Sequence, residues 1–111
     1  MAQKSPTIDD VIRGAFPLVK NQKTWVAGRM AEDCEGLIVS CIDPRAVRWC
    51  AHGALRKVAF ALTGDWFAAD ALQLAASRKL TKDLDRTLPC VNDYDGHDAV
   101  VALFKKALAA A

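Results

Sequence analysis

Two groups of residues in this chain are of types that could do chemistry. One is the Trp49-Cys50 pair, in a stretch that begins at Asp43-Pro44. The other lies some 40 positions later: Cys90, Asn92, Asp93, Asp95 and His97. A thiol, an imidazole and an amide or carboxylate are the components of nucleophilic catalysis. In that reading Cys50 is the nucleophile, His97 the base, and Asn92 or Asp93 the group that orients the base, in acyl transfer or hydrolysis. A thiol close to a helix start is helped toward the thiolate by the helix dipole, and Arg45 and Arg48 are near in sequence.

Each of these residues also has a packing role to fill. Cys50 falls on the same predicted helix face as Val47, Ala54 and Val58. Free cysteine packs like a small hydrophobe and is among the most buried residue types. It also lies about two turns into the predicted helix, where the dipole has faded, so packing outweighs catalysis there. His97 shares a face with Val101 and Phe104 and can bond a cap carboxylate or a loop carbonyl instead of acting as a base. Asn92-Asp93, followed by Tyr94-Asp95-Gly96, has the composition of a turn, because these side chains bond nearby backbone amides. Asn92 could also bind a ligand amide.

The remaining motif classes are poorly represented. Zinc sites use close pairs such as Cys-x₂₋₄-Cys, whereas Cys34 and Cys41 are separated by six residues and Cys50 and His52 by one. No metal and no cofactor is expected. The sequence has no phosphate-cradling glycine loop, HExxH or GxSxG. Basic residues are dispersed as solvated helix faces, with Arg78 to Arg86 the only candidate anion patch, and a net charge of +2 argues against nucleic acid as a partner.

The elements that must position these residues read as helices. Ser5 or Thr7 can cap a first helix over residues 5–19, with Pro6 in its first turn and Thr7 with Asp10 as a candidate capping box; Pro17 is expected to end or kink it near Phe16. Residues 25–42 read as a short hairpin or an ordered loop. Asp43 as N-cap and Pro44 at the first position predict a second helix from about 44 to 62, closed by Gly64. Its apolar residues fall on two faces: Val47, Cys50, Ala51, Ala54, Val58, Ala61 and Leu62 on one, Trp49, Gly53 and Phe60 on the other. Such a helix is central and packed on both sides. Gly53 weakens a helix interior by about 1 kcal/mol, which predicts that another backbone approaches closely there. Asp65 caps a third helix over about 66–79, Thr81 to Leu88 adds a turn or two closed by Pro89, and Asp95 caps a last helix from Gly96 to about Leu108.

The chain has 111 residues, 52% hydrophobic and 25% charged, which suits one globular domain. No window reaches the roughly 18 apolar residues of a membrane span. The opening Met-Ala-Gln-Lys-Ser-Pro has no apolar stretch like that of a secretory signal, so no leader is expected. Both features point to a cytoplasmic protein with four reduced thiols; an exported form could pair them as disulfides.

Trp25 with a glycine loop after it, Asp43, Ala46, Trp49-Cys50, Gly53-Ala54, Val91-Asn92-Asp93, His97, Val100 and Ala107 together resemble a bacterial and phage family of unknown function. Its pattern reads roughly Trp…Gly…Cys-x-x-Gly-Ala…(Trp)-Asn-Asp…(His/Thr)-x-x-Val…Ala, with Val91 here where the family often has Trp. The resemblance implies no catalytic residue. It does imply that Trp25, Cys50, Gly53, Ala54, Asn92, Asp93 and His97 form one spatial unit, with the Asn92–His97 loop against the first half of the second helix.

The expectation is thus a mainly α fold of four to five helices around a central one. The function expected is that of a small cytoplasmic binding or regulatory module without its own catalysis. Its partner would be a protein or small ligand, or a second copy of the chain. The candidate binding residues are Trp25, Trp49, Asn92, Asp93 and His97, and the rival reading is the thiol enzyme built on Cys50 and His97.

Overall fold

The computed structural model describes residues 5–110; most of the opening segment read above as lacking a leader, and Ala111, lie outside them. Helix α1 spans Ile8–Val19 and opens on the expected capping box. The Thr7 hydroxyl accepts from the amide of Asp10 at 3.1 Å, and the Asp10 carboxylate accepts from the amide of Thr7 at 2.9 Å. Pro17 does not end the helix. The last turn continues to Val19 because its carbonyls are capped from outside the helix: the Thr24 hydroxyl donates to Leu18 at 2.6 Å, and His97 donates to Val19 at 2.7 Å. Val19 is itself fully buried.

A short antiparallel hairpin forms as expected, but its second strand lies beyond residues 25–42, in the stretch read above as helix. Strand β1 (Ala31–Glu32) pairs antiparallel with β2 (Arg48–Trp49), and Glu32 also bridges Ile38 within the tight turn that follows β1. Asp33 holds that turn, its carboxylate accepting from the amides of Glu35 and Leu37, each at 2.9 Å. Glu32 accepts from both Arg29 and Arg48, which ties the loop to β2.

Helix α2 is shorter at its start than the sequence predicts. It spans Ala51–Thr63, not 44–62. The Asp43 carboxylate accepts from Arg45, backbone and guanidinium, so Asp43 closes a turn rather than starting a helix. The following amides are recruited by the backbone of β1 and of the residue before it: Val47 donates to the Glu32 carbonyl at 2.9 Å and Cys50 to the Met30 carbonyl at 3.1 Å. Val47, Trp49 and Cys50 therefore precede the helix, and Val47 and Leu62 are 38% and 45% exposed. The central position of α2 holds: it packs on α1 and on α3 (Trp66–Leu80). Gly14 of α1 faces Val58 of α2, and Phe60 of α2 stacks on Trp66 of α3 at 4.1 Å. Gly64 closes α2 in the left-handed conformation, at φ 67°.

Pro89 also departs from the expectation. It does not close a helical turn but lies within the short helix α4 (Leu88–Cys90), which Thr87 caps. A π-turn over Val91–Asp95 follows, then α5 (His97–Ala109). Asp95 is not the cap of α5, because its carboxylate is taken by Arg86. Phe104 of α5 is fully buried and stacks on Phe16 of α1 at 5.9 Å.

Candidate functional site

Asn92 ties the second of the two groups picked out by type to Ala51, the residue after Cys50. The π-turn turns its side chain inward, where it is 0% exposed. Its Oδ1 accepts from the Trp25 indole at 2.7 Å and from the amide of Ala51, the first residue of α2, at 2.9 Å. Its Nδ2 donates to the Val26 carbonyl at 3.1 Å and to the Asp93 carboxylate at 3.0 Å. Asp93 in turn accepts from the amide of Gly28 at 2.8 Å. Asn92 thus makes four hydrogen bonds inside the chain, two as acceptor and two as donor, and ties the 25–28 loop to the start of α2.

Trp49 lies beside this unit. Its carbonyl accepts from the amide of Val26 at 3.2 Å, and its indole donates to the Cys41 carbonyl at 3.0 Å. The close approach expected at Gly53 comes from a different partner than the Asn92 loop. A Cβ at Gly53 would stand 2.1 Å from the Met30 carbonyl oxygen, so the backbone before β1 crosses the helix at the one residue without a side chain.

Cys50 and His97 make no hydrogen bond to each other; each is bonded elsewhere. Cys50 is the N-cap of α2, its sulfur accepting from the amide of Gly53 at 3.2 Å. Burial pushes its thiol pKa up, outweighing the Gly53 and His52 amides that pull it down. The His97 Nε2 donates to the Val19 carbonyl, and the ring lies 5.3 Å from the Trp25 indole. Because a carbonyl can only accept, that nitrogen carries the proton.

A second polar group, outside the predicted candidates, lines a cleft between helices. Gln73 of α3 is only 6% exposed. Its Nε2 donates to the Ser77 hydroxyl at 2.8 Å and bonds the His52 Nδ1 at 3.2 Å. An amide nitrogen can only donate, so His52 accepts at Nδ1. Burial lowers the His52 pKa, the nearby Arg56 lowers it further, and Asp70 opposes both. His52, Gln73 and Ser77 form the floor of a cleft of about 410 Å³ between α2, α3 and the 86–89 segment. Leu74, Leu88 and Pro89 give it apolar walls. Arg78 and Arg86 stand at its rim, and no carboxylate lines it. The sequence carries one signal of this site. Gln73 and Ser77, four apart, interrupt the apolar stripe of Ala69, Ala76 and Leu80, and polar residues on a core face are buried only with partners. Among the described residues no group of side chains is arranged to hold a metal ion, and no helix is long and apolar enough to cross a membrane.

The chain belongs to a family of unknown function, DUF6197, whose profile matches residues 3–110. Nothing among curated proteins or solved structures matches it.

Proposed function

We propose that this chain is a small binding module, one folding unit without chemistry of its own, and that it takes its ligand in the cleft floored by His52, Gln73 and Ser77. The single observation that carries the reading is the composition of that cleft. At about 410 Å³ it falls within the range of small-molecule sites, and it sets a few convergent polar groups on a floor between apolar walls. The Asn92 unit is read as the clasp that holds the scaffold, since its hydrogen-bonding groups are occupied within the chain. The rival reading, a thiol enzyme using Cys50 and His97, has less support. It requires the thiol to leave the Gly53 amide and His97 to leave Val19 before the two could meet. A reducing, cytoplasmic setting is supported by four free thiols, and a bacterial or phage source by the residue pattern.

The test is a fragment mixture titrated into isotopically labelled protein and followed by NMR. Shifts that saturate and cluster at the Gln73 side-chain amide, the His52 ring and Ser77 are expected. Fragments that cluster only elsewhere, or none that bind, would overturn the reading.

A further inference from the structure

We infer that the ligand of this cleft is an N-acylated α-amino acid: a carboxylate, a neutral N–H one carbon away, and an apolar side chain. This rests on the binding reading above and adds the ligand's chemistry.

Of the floor residues, Gln73 offers an unused acceptor and Ser77 an unused donor. Both functions of the Gln73 Nε2 are committed, to His52 and to Ser77, while its Oε1 accepts no bond among the described residues. No buried side-chain oxygen or nitrogen of the described residues lacks a partner, so Oε1 is open to solvent, and Gln73 lines the cleft. That oxygen calls for an N–H from the ligand. The Ser77 hydroxyl accepts from Gln73 but donates to nothing among the described residues, so its hydrogen is available to a ligand oxygen.

The rim fixes the charge. Arg86 is paired with Asp95 and also bonds the Cys90 sulfur at 3.4 Å. Arg78 has no carboxylate partner among the described residues and stands exposed beside Ser77. An anion that reaches Arg78 can also accept from Ser77, which suits the two oxygens of a carboxylate. A cationic amine would find no carboxylate in the lining, so the N–H that meets Gln73 belongs to a neutral amide. Leu74, Leu88 and Pro89 then meet an aliphatic side chain.

N-Acetyl-leucine is the probe, titrated into the full chain and followed by the same NMR signals. Saturable shifts at Gln73, His52 and Ser77 are expected. N-Acetyl-leucinamide, without the charge, and the O-acetyl hydroxy acid of the same skeleton, without the N–H, should each bind about tenfold more weakly. Arg78→Gln, an exposed substitution, should weaken N-acetyl-leucine about tenfold and leave N-acetyl-leucinamide unchanged. Ser77→Ala provides a second variant with little volume change. A peptide of three glycines ending in leucine separates two sources of the same chemistry. Affinity equal to that of N-acetyl-leucine marks a free acyl amino acid, and a gain of about tenfold or more marks a polypeptide terminus. Equal binding of the acid and the amide, with no effect of Arg78→Gln, would overturn the ligand class and leave the binding reading standing. So would fragments that fill the cleft while N-acetyl-leucine does not. Silence of the cleft signals toward every compound would overturn both.

Discussion

The carboxamide oxygen of Asn92 stands 2.7 Å from the indole nitrogen of Trp25, 67 positions earlier in the chain. The same oxygen receives the first amide of α2, so one buried side chain fastens a loop near the N-terminus and the start of the central helix to the far end of the sequence. Losing it would leave the Trp25 indole, the Ala51 amide and the Val26 carbonyl short of partners at once.

Asn92→Leu is therefore expected to destabilise the fold by about 3–5 kcal/mol, since each buried group left unpaired costs about 1–3 kcal/mol. Urea denaturation measures this through the midpoint at constant slope. A loss below about 1 kcal/mol would show that the clasp contributes little.

Gly53→Ala should also destabilise, although alanine favours a helix over glycine by about 1 kcal/mol. The new methyl would stand 2.1 Å from the Met30 carbonyl oxygen, which already accepts from Cys50. Displacing that backbone should cost about 3 kcal/mol or more. Gly14→Ala is the control, because its new methyl meets the Val58 side chain at 2.7 Å rather than backbone, and a rotamer change can relieve it. Thermal melts of the two variants side by side should rank them in that order, and the reverse order would contradict the role given to Met30.

Thiol reactivity follows burial. Cys34 is exposed, whereas Cys41 and Cys50 are buried and burial raises the pKa of both. Under native conditions iodoacetamide should modify Cys34 first and reach Cys41 and Cys50 only after unfolding, as read by peptide mass spectrometry. Alkylation of native Cys50 as fast as Cys34 would revive the thiol-enzyme reading.

His52 gives stability a pH dependence of defined sign. Burial holds its pKa below the ordinary 6.5, so the unfolded chain takes up a proton first as pH falls. Its contribution is fully present above 6.5 and is lost as pH drops below that value toward the folded pKa. His52→Gln should flatten the stability profile between about pH 5 and 7 relative to the parent. Parallel profiles for the two proteins would show that His52 is not held neutral by the fold.

The sequence by itself determined what depends on local spacing. The Thr7–Asp10 capping box, the Asp65 cap, the left-handed Gly64 and the apolar repeat of α5 all act within a few residues of themselves, and each stands where its pattern predicts. It also indicated that Gly53 admits a backbone, because a glycine inside a helix calls for an explanation; the place of Asn92 against the start of α2 came from the family resemblance, not from any local spacing. What only the tertiary structure decided are the competitions between local and distant partners. Asp43-Pro44 is a sound helix start, yet the amides of Val47 and Cys50 go to carbonyls around β1, and the helix begins at Ala51. Pro17 is a sound helix stop, yet Thr24 and His97 cap the turn beyond it. The cleft floor was out of reach for the same reason. His52 lies 21 positions from Gln73, and nothing in local spacing states that the third helix will bring that amide to the imidazole.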